Sequence, residues 1–150
     1  KLSTASMGGA WMGSHLTNDD LVRGSRMRDD YTWALYERPQ GEGEAQTGRY
    51  EVHLTPKPEA PVVWGLVKLW VSAQRVPERI EYFNERAALL RTISFHEVTK
   101  KGERLIPMLT RVTPADKPNE RTELRYLELE FDVKLPPRTF SLQALKRATR

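Results

Sequence analysis

The chain contains no cysteine. That absence excludes disulfides, thiolate-ligated zinc and a cysteine nucleophile together. It leaves the compartment open, because a protein without thiols folds equally well in reducing and oxidising surroundings. Long apolar runs are missing too. The longest, Ala60 to Ala73, is broken by Lys68 and is too short for a membrane-crossing helix. No dense block of like charges forms a tail. The net charge of +4 comes from 24 basic and 20 acidic residues spread along the chain, a balance that favours anionic membranes or acidic partners only weakly.

Motifs with a chemical purpose are also scarce. His15, His53 and His96 have no metal-ligand spacing. Asn18-Asp19-Asp20 and Asp29-Asp30 are not followed by a calcium-binding loop, and helix capping explains the first group more simply. Glu128 and Glu130 would share one strand face, as paired catalytic carboxylates can, but a solvated face is the commoner reason for such a pair. Neither Gly-x-Ser-x-Gly nor a phosphate loop occurs. The residues supply no enzyme, metal or cofactor site.

What is present reads as strands and turns. The 150 residues suit one domain. Thr17 is placed to cap a short helix whose first turn holds Asp19 and Asp20, and Gly24-Ser25 should end it. Strands are predicted over Thr32 to Glu37, Arg49 to Thr55, Val62 to Ser72, Pro77 to Asn84, Leu89 to Lys100, Arg104 to Val112 and Arg121 to Val133. The loop Pro39 to Gly43 and the proline-rich Pro56 to Pro61 separate the early strands, and Lys101-Gly102 marks a turn. Pro136-Pro137 stops the sheet, and Ser141 caps a helix from Leu142 to Arg147 with a basic last turn. No room is left for crossover helices, so the expected fold is a mainly β, meandering antiparallel sheet.

Val62 to Val71 is apolar on both faces, with Trp64, Leu66 and Trp70 alternating against Val63, Val67, Leu69 and Val71. Either a loop or helix covers its second face, or that face lines a cavity. The Trp11-Met12 loop and Leu16, Leu21 and Met27 are the candidate cover.

Trp11-Met12-Gly13-Ser14 followed by Thr17-Asn18-Asp19-Asp20-Leu21 resembles the signature stretch of bacterial outer-membrane lipoprotein-sorting proteins of the LolA-like superfamily. The resemblance continues through Pro56-Lys57-Pro58, Val63-Trp64-Gly65, Leu69-Trp70-Val71, Pro77, Glu81-Tyr82, Pro107 and Thr122. It ends in Leu135-Pro136, Phe140-Ser141-Leu142 and Leu145-Lys146. It implies an incomplete barrel of curved antiparallel strands around short helices, with an apolar cavity that accepts lipid or lipoprotein acyl chains. It implies a periplasmic location, after removal of a signal peptide, and partners such as an inner-membrane exporter or an outer-membrane acceptor. The family's domain begins with a helix and strands that precede the Trp-Met-Gly stretch. Residues 1–150 are therefore expected to be one domain lacking those elements, with an open sheet edge able to pair with another copy.

The expected apolar lining is Trp33, Leu35, Val67, Leu69, Ile93, Phe95, Leu127, Leu129 and Phe131, with Trp64 and Trp70 equally eligible. Alternation groups residues within a strand without saying which face turns inward. Two other readings stand beside the carrier. A protein-docking module of an envelope export complex would share every feature but the cavity. A nucleic-acid-binding sheet, with Trp64 and Trp70 beside Lys68, is disfavoured by interleaved acids and by flanking Val and Leu.

Overall fold

The computed structural model describes residues 7–23, 27–37 and 48–148. Two short helices, α1 (Asn18–Arg23) and α2 (Met27–Asp30), lead into seven strands. These are β1 (Tyr31–Glu37), β2 (Tyr50–Pro56), β3 (Leu66–Val71), β4 (Pro77–Phe83), β5 (Leu89–Lys101), β6 (Arg104–Pro114) and β7 (Thr122–Arg125). A last helix, α3 (Leu142–Ala148), follows. Each strand pairs antiparallel with the next, and β1 does not pair with β7. The sheet is thus the predicted meander, open and not closed into a barrel.

Local chemistry accounts for the boundaries. At the start of α1, the Asp20 amide donates to Thr17 Oγ1 at 3.4 Å, and the Thr17 amide donates back to Asp20 Oδ2 at 2.7 Å, a reciprocal cap. Ser141 Oγ accepts from the Ala144 amide at 3.2 Å and starts α3. Between β5 and β6, Gly102 has φ 59°, the positive value that tight hairpin turns require. The predicted Gly24-Ser25 break and the Pro39 to Gly43 loop lie outside the described residues.

Register sorts the side chains. Trp33 pairs with Leu54, Leu35 with Val52, Val52 with Leu69, Val67 with Tyr82, Leu69 with Ile80, Ile80 with Ile93 and Ile93 with Val112. Residues directly opposite one another share a face. One face therefore carries Trp33, Leu35, Val67, Leu69, Ile93 and Phe95 together. The core lies on it: Tyr31, Leu54, Val67, Tyr82, Ile93 and Val112 are buried, with Leu16 and Met27 packed against them from the helical side.

Three expectations are corrected. The strand foreseen over Val62 to Ser72 is only Leu66–Val71. β4 ends at Phe83, opposite Leu66, and the Gly65 amide on the Phe83 carbonyl is the last bond to it, so residues 62–64 run past its end. Trp64 is released onto the helix-bearing face, while Trp70 remains on the outer one. The strand foreseen over Arg121 to Val133, expected to be the longest, is the four-residue β7. Its ladder to β6 ends with the Tyr126 amide on the Met108 carbonyl. Beyond it Leu127 is 85% exposed and Asp132 has φ 59°. β6 continues to Arg104, so β7 ends because the chain leaves its neighbour after Tyr126, a point that alternation does not mark. Finally, among the described residues neither the short helices nor the Trp11-Met12 loop is found over the second face of β3. Instead the Lys68 ammonium lies over the Phe83 ring at 5.4 Å and the Arg79 guanidinium over Trp70 at 4.0 Å.

A candidate apolar site under two short helices

The helix-bearing face contains a pocket of about 280 Å³. Its walls are Val62, Trp64, Ile80, Tyr82 and Ile93 from the sheet side, with Met27 and Tyr31 from α2 and the start of β1. Asp19, Asp20 and Asp30 complete the lining. The volume sits near the lower end of ligand pockets, about 300–1,000 Å³. Apolar walls with polar groups at one side are the usual composition of such sites.

One ion pair holds the cover to the sheet. Arg91, on β5 beside Ile93's face, points its guanidinium at Asp20 of α1, with Nη1 to Oδ2 at 2.7 Å and Nη2 to Oδ1 at 2.5 Å. Its Nη1 also donates to the His15 carbonyl at 3.3 Å. The same guanidinium lies 4.5 Å from the Trp64 ring and 4.3 Å from the Tyr82 ring, themselves 4.8 Å apart. Arg91 Nε is buried and has no hydrogen-bond acceptor among the described residues. Burial alone would raise the Asp20 carboxyl, but the Arg91 hydrogen bonds and charge and the Thr17 contacts outweigh it and hold the group below 3.8. Burial pushes the Tyr82 phenol from 10.0 up to about 12.

A second tie fixes the preceding loop. The His15 amide donates to Thr122 Oγ1 at 3.0 Å, and His15 Nδ1 lies 3.0 Å from the same oxygen. The loop is closed at its base by the Asn18 amide on the Gly9 carbonyl at 3.1 Å and by the Ala10–Thr17 bridge. Its tip turns through Met12 and Gly13, both with positive φ, so Met12 is 84% exposed. Of the expected cover, Leu16 and Met27 lie over the core, Trp11 and Met12 are exposed, and the Leu21 side chain lies outside the described residues.

The structure brings several expected lining residues together. Trp64 and Ile93 border the pocket, and Val67, Leu69 and Phe95 belong to the packing around it. Trp33 and Leu35 share the face but lie on edge strand β1, where Trp33 is 68% exposed. Trp70 is on the opposite face, donating from Nε1 to Glu51 Oε2 at 3.1 Å. Glu51 also meets His53 at 2.5 Å, and that hydrogen bond leads the causes that hold its carboxyl below 4.5. Leu127, Leu129 and Phe131 fall beyond β7, away from the pocket. Sequence reasoning missed Tyr31, Val62, Ile80 and Tyr82 as lining, and Arg91 as the anchor. Arg91 had left a signal, since it stands two residues before Ile93 and must share its face. Among the described residues no group of three His, Asp or Glu is arranged to hold a metal ion, and no helix is long and apolar enough to cross a membrane.

Known proteins supply the remaining context. The fold matches an outer membrane lipoprotein-sorting protein domain from Vibrio parahaemolyticus at TM-score 0.78 and 21% identity, over 97% of this chain and 60% of that one. It matches a DUF1329 family protein from Desulfovibrio piger at TM-score 0.79 and 23% identity, over 95% of this chain and 58% of that one. A LolA superfamily protein from Nitrosomonas europaea follows at TM-score 0.70 and 21% identity, over 93% of this chain and 60% of that one. The chain thus spans about three-fifths of the length of these solved proteins. No protein of curated function matches it. A family model described as that of an uncharacterized protein matches residues 1–147. The chain belongs to the family of that model, and its open antiparallel sheet with overlying short helices is the LolA-like fold of these solved domains.

Proposed function

We propose that the protein is a periplasmic carrier that holds lipid or lipoprotein acyl chains against the helix-bearing face of its sheet. The observation that carries this reading is the apolar pocket between Met27 and the Trp64–Tyr82–Ile93 wall. Acyl carbons leaving water for such a wall gain about 0.8 kcal/mol each, so binding needs no directed chemistry. The pocket takes in one chain segment. The uncovered continuation toward Trp33 and Leu35 offers more apolar surface on the same face. Likeness to a lipoprotein-sorting domain and to a LolA superfamily protein supports the same reading. Loading and release would pass through an inner-membrane exporter and an outer-membrane acceptor. Residues 1–150 would form the larger part of the domain, with β1 the edge on which a further strand or a second copy adds.

Organic extraction and mass spectrometry of the full-length protein from a bacterial host tests it. Stoichiometric phospholipid or acylated peptide is expected, and Ile80→Trp, which fills the pocket without adding charge, should lose it. A protein that comes out empty and fails to bind a hydrophobic fluorescent probe overturns the carrier and favours a docking module.

A further inference from the structure

After Asp132 the chain carries no acidic residue to its end, while Lys134, Arg138, Lys146, Arg147 and Arg150 are basic. The same stretch exposes large apolar side chains. Phe140 is 86% and Leu142 78% accessible, and Val133 and Leu135 are exposed beside them in sequence. Two successive turns, closed by the Thr139 amide on the Pro136 carbonyl at 2.9 Å and the Ser141 amide on the Arg138 carbonyl at 3.0 Å, fold the segment back before α3. They leave a cleft of about 360 Å³ lined by Arg138, Thr139, Ser141, Gln143 and Arg147, with Pro136 and Ala144. Two guanidinium-bearing side chains, two hydroxyls and an amide thus border one cleft, with no carboxylate among them.

We infer that this C-terminal segment is a docking surface for an anionic phospholipid membrane. Arg138 and Arg147 face lipid phosphates, and Phe140 and Leu142 enter the headgroup layer. Charge complementarity selects this occupant: arginine forks match phosphate oxygens, and basic residues flanking exposed apolar ones are what interfacial segments combine. A protein partner would need its own acidic, apolar surface, whereas an anionic bilayer presents both chemistries at one depth. The inference is independent of the pocket, which lies under α1 and α2.

Flotation of the full-length protein with vesicles tests it, comparing phosphatidylglycerol mixed into phosphatidylcholine with phosphatidylcholine alone. Expected are co-flotation with the anionic vesicles only and weakening as salt rises. Arg138→Glu with Arg147→Glu should lower vesicle affinity about tenfold or more. Phe140→Asp with Leu142→Asp should do likewise. These side chains are solvent-exposed, so thermal unfolding should stay at the parent value, and bound acyl cargo should be retained. Absence of vesicle binding, equal binding to neutral vesicles, or binding unchanged in both double variants overturns the inference.

Discussion

Arg91 and Asp20 lie 71 residues apart in sequence, yet the guanidinium of one holds both carboxylate oxygens of the other, joining the helical cover to the middle of the sheet. The Arg91 side chain is 6% exposed and that of Asp20 15%. At such burial an ion pair contributes less than its Coulomb attraction suggests, because desolvation opposes it, but removing one partner strands the other charge.

Arg91→Leu should therefore cost about 3–5 kcal/mol of stability. Arg91→Leu combined with Asp20→Leu should recover much of that loss, since no charge is then left buried. Denaturant unfolding of the two single variants and the double variant measures the coupling. A double variant as unstable as the sum of the singles would show that the two side chains act separately.

The same pair sets an acid limb. Asp20 is depressed below 3.8 in the folded protein, so the unfolded chain takes up its proton first. The contribution is complete above 3.8 and is lost as pH falls through the lower folded value. Asp20→Asn should flatten this part of the stability profile. Tyr82 acts at the other end. Its phenol is raised from 10.0 to about 12, so stability present below 10 declines as pH rises toward 12. Tyr82→Phe should remove that decline, as read from the unfolding midpoint against pH.

Gly65 is needed for close approach. Its amide donates to the Phe83 carbonyl at 2.9 Å, and a Cβ there would meet the Asn84 carbonyl carbon and the Glu85 Cα at 2.7 Å. The obstruction is backbone of the β4–β5 turn, already fixed by the Asn84 side chain accepting from the Arg86 and Ala88 amides. Gly65→Ala should destabilise by about 1–3 kcal/mol, measured by chemical denaturation. Trp64 should also move, giving a shifted emission maximum.

Trp33 offers a separation of binding from folding. It is on the pocket's face but largely exposed, so Trp33→Glu should change stability by no more than about 0.5 kcal/mol. Affinity for long-chain amphiphiles should nevertheless fall, while short-chain ones that fit the pocket alone are unaffected. Titration with a series of chain lengths reads the difference. Equal affinities along the series in parent and variant would confine binding to the pocket.

Most of the strand order was legible in the residues themselves. Alternation over Arg49 to Thr55, the Lys101-Gly102 turn, and the caps at Thr17 and Ser141 are local signals, and each stands in the structure close to where it was read. Local signals failed where a distant neighbour decided. Arg121 to Val133 alternates well but is strand only opposite Leu109 to Val112, although β6 itself runs on to Arg104, because alternation carries no signal of where a chain leaves its neighbour. Trp64 and Trp70 are an even number of residues apart, which places them together on an extended chain. The end of β4 and the tight passage at Gly65 separate them onto opposite sides.

The candidate site divides the same way. Side-chain periodicity alone determined that Val67, Leu69, Ile93 and Phe95 lie on apolar strand faces, since successive side chains must point to opposite sides. The tertiary structure alone decided the rest: register makes these faces one face, and helix docking sets the two short helices over part of it, with Arg91 tying α1 there. A two-residue period is carried by each segment without reference to any other, whereas a pocket exists only between segments, and its walls are chosen by which strands pair and where each pairing stops.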